Sequence, residues 1–368
     1  MRVCFLIPSL GDGGAQRQCI ALVHALQALP DIEVHLLLLG PGVHDDALAV
    51  MPTLVHRTDV GNFANPAALL FVVRTLRRVR LDLLLSWLHP ADIWSFAATR
   101  FVRGIPWVVA ERGSAYPDRT VFRIRRHAVR RGASAIIANS EQGRRFWATA
   151  APSCESLVIP NLVLEPVDAS GTRADRSAAY ECLSVGRLEP EKNLVEMTGA
   201  FARFATTHQG AHLVVVGRGS TAAEIEGKAE RSGMTDRVHL VGFRRDVRVL
   251  MARARVFLSF SRYEGMPNVV MEAIAAGLPA VVSDIPEHRA LLGDDYPYYV
   301  TLGAPAESAA EVIADAWTRG LSAGGDVYAH ARRILDESRP DKVAASYVDA
   351  FKSIISGRST VDRTNPAV

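Results

Sequence analysis

The chain of 368 residues is longer than a single domain usually is, and its 49% hydrophobic and 22% charged residues are typical of a globular protein. No apolar run reaches the roughly 18 residues of a membrane-spanning helix, and the start, MRVCFLIPSLGDGG, has too short an apolar core for a signal peptide. These features exclude a membrane-spanning or secreted protein and predict two cytoplasmic domains. The four cysteines form no CxxC pair and are expected to be free thiols.

The positive charge is concentrated in the first half of the chain. The first 160 residues hold 18 Lys/Arg and 12 Asp/Glu, whereas the remaining residues hold 24 and 27. The stretch RTVFRIRRHAVRRGAS (119–134) dominates, and as a helix it would place Val121, Ile124 and Ala128 on one face. Two interpretations stay open: a helix that packs through this apolar stripe, or a surface that meets an anionic acceptor or anionic lipid at the inner face of the plasma membrane. The stretch has no nucleic-acid-binding motif, so nucleic acid is not an expected partner.

The first half alternates between predicted strands and helices. A glycine loop, PSLGDGGAQ, and a helical segment, RQCIALVHALQAL, follow the first strand. Alternation of this kind predicts a parallel sheet that is covered on both faces. The predicted strands are 2–7, 32–39, 81–88, 106–111, 133–140 and 157–161.

A polar stretch at 164–179, rich in Pro, Gly, Ser and Asp, predicts a linker, after which the alternation restarts. The fold class is therefore α/β, with two doubly wound Rossmann-like domains that face each other across a cleft. The strands of the second half are predicted at 180–185, 212–216, 237–243, 255–260 and 278–284. The predicted domains are 1–165 and 175–340, followed by an amphipathic helix at 341–356 and a flexible tail at 357–368.

Two carboxylates in SRYEGMPNVVMEAIAAG (261–277) form the most specific motif. Glu264 follows a predicted strand, where open α/β sheets bind ligands, and Glu272 lies more than a turn into the next helix. Pro267 suits the first turn of that helix, and the amides around it attract an anion. Carboxylates accept paired hydrogen bonds from vicinal hydroxyls. The motif therefore indicates a ligand with sugar hydroxyls on both sides of a phosphate.

Two other loops complete the candidate site. VGRLEPEKN (185–193) places Arg187 and Lys192 between a strand and a helix, where a forked and a compact cation suit a diphosphate. In the first domain, GDGGAQ (11–16) supplies glycines that allow the backbone to come close to a ligand.

Together, EGMPNVVMEAIAAGLPAVVSD, GRLEPEKN and GGAQ resemble the retaining glycosyltransferases of family 4, also called glycosyl transferases group 1, which have the GT-B fold. The resemblance covers essentially the whole chain, and it implies that the helix at 341–356 packs back on the first domain. It implies the transfer of a hexose or N-acetylhexosamine from a nucleotide diphosphate sugar, with UDP favoured over GDP. The acceptor hydroxyl would attack from the side of the leaving group, without a covalent glycosyl–enzyme at Glu264.

The resemblance also assigns roles to residues. Glu272 would bind the ribose hydroxyls, Glu264 would contact the transferred hexose, and Arg187 and Lys192 would hold the diphosphate and stabilise the leaving group. His89 would lie near the reaction centre. The remaining donor contacts would come from the glycine loop of the first domain, from the position near the base and from the start of the helix: Gly13, Gly14, Phe243, Gly265, Met266, Pro267 and Asn268.

The acceptor side is implied by VVAERGSAYPDR (108–119), which looks like that of family members that build surface or lipid-linked glycans. Glu111 and Arg112 are the candidate acceptor contacts, and a glycan or lipid-linked precursor is the expected acceptor. The family typically works without a metal, and the chain lacks an Asp-x-Asp triad, so no metal or other cofactor is expected.

The same motifs allow other interpretations. A dinucleotide fingerprint is disfavoured because Gln16 stands where the third glycine belongs. Glu264 could cap its helix, and the pair Glu287 and His288 is expected to cap the following one. Two rival functions remain: a nucleotide-sugar epimerase of the same fold, which would need no acceptor groove, and a non-catalytic protein that binds sugar nucleotides.

Overall fold

The computed structural model describes residues 1–11, 13–48, 54–61, 65–113, 119–163, 181–322 and 326–357. The chain divides into two compact units. The first is built from Met1–Leu162 together with the segment that begins at Ser338, and the second from Val163–Glu337. Each unit has one wholly parallel sheet, of seven strands in the first and six in the second. The predicted α/β architecture with two parallel sheets is confirmed.

The sheet of the first unit has the strand order β3-β2-β1-β4-β5-β6-β7. Consecutive residues of its central strands are buried, because both faces of a parallel sheet are covered. The third strand was not predicted; it has only four residues and is partly exposed at the sheet edge. The strands are β1 Arg2–Ile7, β2 Glu33–Leu38, β3 Leu54–Arg57, β4 Leu83–Trp87, β5 Trp107–Glu111, β6 Ala135–Ala138 and β7 Glu155–Val158.

The helices of the first unit include one from the end of the chain. The final helix, predicted from its apolar periodicity, packs against the first helix and buries Tyr347 and Phe351. The helices are α1 Gly14–Gln27, α2 Ala67–Val79, α3 His89–Phe101, α4 Thr120–Gly132, α5 Glu141–Ala150 and α13 Pro340–Ile355, with a 3-10 turn at Asp45–Leu48.

The second unit repeats the plan with the strand order β10-β9-β8-β11-β12-β13. Its strands are β8 Glu181–Val185, β9 His212–Val216, β10 Val238–Leu240, β11 Val256–Ser259, β12 Ala280–Ser283 and β13 Tyr299–Val300. Its helices are α6 Leu194–Ala205, α7 Ala222–Arg231, α8 Val247–Arg253, α9 Asn268–Ala275, α10 Pro286–Leu292, α11 Ala306–Arg319 and α12 Ala329–Glu337, with 3-10 turns at Pro190–Lys192 and Gly320–Ser322.

The strand orders place a topological switch point in each sheet. In the first unit it lies between β1 and β4, and in the second between β8 and β11. Loops that leave the carboxyl ends of such neighbouring strands diverge to opposite faces and open a crevice for a ligand. Gly13 and His89 follow the first pair of strands, and Lys192 and Glu264 follow the second.

Glycines hold the loops after β8 and β9 in close backbone contact. Gly217 has φ +143°, and a Cβ built on it would lie 1.8 Å from the carbonyl oxygen of Gly186. A Cβ on Gly219 would lie 2.3 Å from the carbonyl oxygen of Leu188, whose amide donates to Arg218 O at 2.9 Å. Only glycine fits at these two positions.

We expect Gly217→Ala to lower the free energy of unfolding by about 3 kcal/mol, because it combines backbone strain with overpacking against Gly186. Gly233→Ala is the control: Gly233 also has positive φ, +64°, but no atom lies within 4 Å of its added Cβ. The control should lose only about 1 kcal/mol. Urea denaturation measures both variants, and equal losses would contradict the tight approach at Gly217.

Candidate active site

A half-buried ion pair joins the two loops at the switch point of the second unit. The Nζ of Lys192 lies 2.6 Å from Oε1 of Glu264, and the two side chains are 22% and 13% exposed. Lys192 ends the 3-10 turn after β8, and Glu264 lies in the loop between β11 and α9. The structure therefore brings together two candidate residues that are 72 positions apart in the sequence.

Hydrogen bonds from buried polar groups hold the carboxylate of Glu264 in place. The hydroxyl of Ser261 donates to the same Oε1 at 2.7 Å, and the hydroxyl of Ser283 donates to the carbonyl oxygen of Ser261 at 2.5 Å. The buried ring of His288 lies 2.8 Å from the carbonyl oxygen of Ser283, so its Nδ1 carries the proton. Burial lowers the pKa of His288, which keeps the ring neutral. The carboxylate position of Glu264 is thus set by an ordered chain of hydrogen bonds.

Glu287 and His288 do not cap α10 as predicted, because its N-cap residue is Ile285 and no side chain makes a cap hydrogen bond there. Glu287 lies in the first turn of that helix, and its carboxylate accepts from its own backbone amide and from that of Glu264. Burial raises the pKa of Glu287, and the nearby charge of Glu264 raises it further. Sequence reasoning missed this contact because the two residues lie on different loops.

Arg187 lies on the exposed side of the same loop as Lys192. Its guanidinium donates to Glu191 Oε1 at 2.6 Å, and its side chain is 59% exposed. An exposed pair of this kind contributes little to stability, so the guanidinium can exchange its partner at small cost. Arg187 and Lys192 thus place one exposed and one half-buried cation on a single loop.

Most of the other donor candidates also lie in the second unit. Pro267 is buried and immediately precedes α9, rather than occupying its first turn, and Glu272 lies half-buried in the second turn of that helix. Phe243 is half-buried shortly after β10. The remaining residues of the motif, Gly265, Met266 and Asn268, are also half-buried. The motif therefore lies at the carboxyl edge of the sheet, as expected.

Sequence reasoning missed the loop after β9. Its backbone meets the loop that carries Arg187 and Lys192, and Glu189 accepts from both the amide and the hydroxyl of Ser220 at 3.2 and 2.7 Å. The glycine pair at Gly217 and Gly219 was the available signal, since glycines after a strand allow close backbone approach.

In the first unit, an unusual backbone conformation precedes His89. Leu88 has φ 75° and ψ 151°, a combination that L side chains rarely adopt. Gly13 caps α1 with extended backbone, Gly14 begins that helix, and the indole of Trp87 donates to Ala15 O at 2.8 Å. The end of β4 and the first turn of α1 are therefore tied together at the first switch point. Strain stored beside a candidate reactive residue is typical of functional sites.

His89 is neutral at physiological pH in this environment. Burial lowers its pKa, the charge of Arg125 lowers it further, and only Glu111 opposes them. Its ring lies 5.2 Å, between centroids, from that of Phe122. A neutral imidazole at a strand end can accept or donate a hydrogen bond to a substrate hydroxyl.

Behind His89 lies a buried ionic network. Arg125 Nε donates to Asp92 Oδ2 at 2.5 Å, and Arg125 Nη2 lies 3.0 Å from Glu111 Oε2. The hydroxyl of Ser86 donates to Asp92 Oδ1 at 2.5 Å, and the indole of Trp147 donates to Glu111 Oε2 at 2.6 Å. One guanidinium thus compensates two carboxylates that have no exposed surface.

This network corrects the predicted orientation of α4. Val121 and Ile124 are 37% and 51% exposed, whereas Arg125 is buried with Ala128 and Val129. The interpretation of a helix that packs through Val121, Ile124 and Ala128 is therefore wrong. The physical reason is that the buried carboxylates of Asp92 and Glu111 would have no compensating charge if Arg125 faced solvent, whereas exposed aliphatic side chains are common on protein surfaces.

The candidate acceptor residues lie inside the first unit. Glu111 has no exposed surface, and its Oε1 accepts from the amides of Arg112 and Gly113 at 2.8 and 2.9 Å. Arg112 lies 4.0 Å above the ring of Trp87 and donates to Tyr347 on α13. A direct acceptor contact by Glu111 or Arg112 stays a prediction; their contacts favour a role in holding the backbone that follows β5.

No group of three His, Cys, Asp or Glu side chains among the described residues could hold a metal ion. None of the helices in that part of the chain has both the length and the apolar character to cross a membrane. The four cysteines are free thiols, as predicted.

Two family models match the chain. The model described as Glycosyltransferase Family 4 matches residues 12–163, and the model described as Glycosyl transferases group 1 matches residues 175–322. Together they cover most of both units.

Curated relatives align over parts of the chain. The Vi polysaccharide biosynthesis protein VipC/TviE of Salmonella typhi is 38% identical over 97 residues, or 26% of this chain and 17% of that protein. The GDP-mannose:cellobiosyl-diphosphopolyprenol alpha-mannosyltransferase of Xanthomonas campestris is 29% identical over 218 residues, 54% of this chain and 55% of that one. The GalNAc-alpha-(1->4)-GalNAc-alpha-(1->3)-diNAcBac-PP-undecaprenol alpha-1,4-N-acetyl-D-galactosaminyltransferase of Campylobacter jejuni is 22% identical over 281 residues, 74% of this chain and 77% of that protein. The chain thus spans about half of the length of the Xanthomonas relative and less than a fifth of the length of the Salmonella relative.

Solved structures match along nearly the whole chain. HepE of Anabaena in complex with UDP-glucose superposes with a TM-score of 0.80 at 20% identity, and covers 96% of this chain and 100% of that one. Sucrose-phosphate synthase of Thermosynechococcus elongatus superposes with a TM-score of 0.77 at 16% identity, over 97% of this chain and 100% of that one. At these identities the likeness shows the fold alone, and it confirms the predicted GT-B class.

We expect the buried network to make stability depend on pH through Asp92. Burial raises the pKa of Asp92 from 3.8 to about 6, against the charge of Arg125 and the hydrogen bonds from Ser86 and Arg125. Between pH 4 and 6 the folded state keeps a proton that the unfolded state has lost. Stability therefore falls as pH rises, by up to about 1.4 kcal/mol per pH unit.

Asp92→Asn tests this dependence because the amide cannot titrate. The difference in unfolding free energy between wild type and variant, measured in urea at pH 4, 5, 6 and 7, should shrink from pH 4 to 6 and then stay level. A constant difference across this range would show that the carboxyl of Asp92 titrates normally.

Proposed function

The chain belongs to the glycosyl transferases group 1, and we propose that it transfers a hexose or N-acetylhexosamine from a UDP-linked sugar to an acceptor hydroxyl with retention at the anomeric carbon. The observation that carries the proposal is the ion pair between Lys192 and Glu264 at the switch point of the second unit. It places a cation for a diphosphate and a carboxylate for sugar hydroxyls within one hydrogen bond of each other.

The roles of the donor residues follow from this arrangement. Lys192 is fixed by Glu264 and holds the leaving diphosphate from a preorganised position, whereas the exposed Arg187 moves from Glu191 to the phosphate when the donor binds. Glu272 binds the ribose hydroxyls. The contributions of Gly13 and Gly14 in the first unit stay predictions.

The contacts of Glu264 favour hydroxyl binding over covalent catalysis. Its Oε1 already accepts from Lys192 and Ser261, and its side chain is only 13% exposed. The ion pair with Lys192 and the hydrogen bond from Ser261 stabilise the negative charge of this carboxylate, which makes it a weaker nucleophile. We therefore propose that the acceptor attacks from the side of the leaving group, that the donor phosphate takes its proton, and that no metal takes part.

Names of relatives and neighbours support the choice of substrates. The similar HepE structure holds UDP-glucose, and two relatives are named for transfer to polyprenol-linked sugars. One of these uses GDP-mannose, which keeps GDP-sugars as the second choice. A lipid-linked glycan in surface polysaccharide synthesis is the acceptor we propose.

The first experiment is a binding panel of UDP-, GDP- and ADP-sugars, measured by calorimetry in EDTA. One UDP-sugar should bind, and Lys192→Met and Glu272→Ala should each weaken it at least about tenfold, because each removes hydrogen bonds that involve a charged group. Lys352→Met removes an exposed lysine of the other unit and should change nothing. Wild-type affinity in both site variants, or no binding without a metal, would contradict the donor site.

The outer face of α4 supports contact with an anionic membrane. Val121 and Ile124 are exposed there beside Arg123, Arg130 and Arg131. Aliphatic side chains that point outwards between arginines suit the interface of a bilayer with anionic lipid, to which each arginine adds about 1 kcal/mol. A peripheral position at a membrane would bring the enzyme to a lipid-linked acceptor.

We expect the double variant Val121→Ser, Ile124→Ser to bind vesicles of phosphatidylglycerol and phosphatidylcholine at least about tenfold more weakly than wild type, since apolar burial is lost. Val158→Ser is the control, because Val158 is as exposed as Val121 but lies on β7. Co-sedimentation at low and high salt measures the partition. Equal binding of the double variant and the control would exclude the face of α4.

A further inference from the structure

A cleft of about 320 Å³ lies on the second unit beside the candidate donor loops. Residues of α6, α7 and α11 line it, together with Arg262 from the loop that carries Glu264. None of the predicted donor residues is among them. Its volume is that of a pocket for a small metabolite.

The lining of the cleft carries an excess of positive charge. Lys228 and Arg262 are its two cations, and Glu196 is its one carboxylate. Glu196 already accepts from Asn193 Nδ2 at 2.7 Å and from the amide of Gly303 at 2.8 Å. Within the described part of the chain, the ammonium of Lys228 has no carboxylate partner. The cleft thus offers a cation to a ligand rather than to the protein.

Lys228 is held across the neighbouring helix. A Cβ built on Gly199 would lie 2.9 Å from Lys228 Cε and 3.3 Å from its Nζ, so the stem of Lys228 passes over the backbone of α6 where a side chain would block it. The helices α6 and α11 both begin at the cleft, and their positive ends add to the field there. Arg262 Nη2 lies 3.9 Å from Glu196 Oε2, so its charge is partly compensated within the cleft, and Lys228 is the cation that a ligand would neutralise. The ammonium of Lys228 and the two helix ends that face the cavity favour a compact anion.

We propose that this cleft binds a small phosphate-bearing anion as an effector, at a site separate from the donor site. Arg262 links the two places. Its guanidinium donates to Asn193 Oδ1 at 2.7 Å, and its backbone amide donates to the carbonyl oxygen of Glu191 at 2.8 Å. Glu191 and Asn193 are the two residues that flank Lys192. An anion that draws the guanidinium of Arg262 from Asn193 changes the support of Lys192. This coupling, unlike the binding itself, rests on the proposed function.

The binding test uses the full chain labelled with ¹⁵N-glycine and titrated with inorganic phosphate. The amides of Gly199 and Gly303 report on the cleft, whereas those of Gly186 and Gly265 report on the donor loops. We expect saturable shifts at Gly199 and Gly303. Lys228→Met keeps the apolar stem over Gly199 and should weaken this binding at least about tenfold.

Arg231→Met removes an exposed cation from the last turn of the same helix and should leave the binding unchanged. Shifts confined to Gly186 and Gly265 would place phosphate only in the donor site and overturn the proposal. Shifts at Gly199 and Gly303 that persist in Lys228→Met would overturn it as well. Because these readouts need no sugar nucleotide, they stand apart from the test of the donor site.

The coupling is tested by the dissociation constant of UDP at saturating phosphate, compared with that in chloride of equal ionic strength. Phosphate that competes with UDP for the donor site raises the dissociation constant of UDP equally in wild type and in Lys228→Met. Phosphate bound in the cleft should change the dissociation constant of the wild type by at least about a further fivefold. An identical phosphate effect in the two proteins would overturn the role as an effector.

Discussion

The ion pair between Lys192 and Glu264 is the interaction on which the rest of the candidate site depends. It joins loops that leave neighbouring parallel strands at the point where the strand order of the sheet reverses, and such loops otherwise diverge. A half-buried pair stabilises a protein little on balance, because desolvation offsets the Coulomb attraction. Its value here lies in position: each charge holds the other where a ligand with both phosphate and hydroxyls needs it.

The surrounding structure serves this constraint. Gly217 allows the β9 loop to press against Gly186 in the loop of Lys192, while Ser261 and Glu287 fix Glu264 from the interior. Asn193, next to Lys192, adopts the left-handed conformation with φ 53°, which asparagine tolerates better than most residues other than glycine. In the first unit, Leu88 is strained beside His89, with φ 75° and ψ 151°. Strain next to a candidate reactive group is the pattern expected where positioning matters more than stability.

The sequence predicted what depends on local pattern and missed what depends on distant partners. Alternating strands and helices gave both sheets, apart from the edge strands β3 and β13, which are short and partly exposed. Glu264 and Lys192 could be named as candidates because each follows a buried strand. The prediction of the buried face of α4 was wrong because apolar periodicity places the polar Arg125 on the exposed face. Its ion pairs with Asp92 and Glu111, which belong to other elements, make the burial of Arg125 favourable. The contact of Glu287 with Glu264 has no local signal at all.

The central claim is that Lys192 binds the diphosphate of a sugar nucleotide, and comparing UDP with UMP tests it most directly. Calorimetry of wild type and Lys192→Met with both ligands forms a cycle in which one change is made in the protein and one in the ligand. The account predicts that Lys192→Met loses at least about tenfold in affinity for UDP and almost nothing for UMP, which lacks the second phosphate. Equal losses for both ligands would show that Lys192 acts elsewhere and would contradict the site.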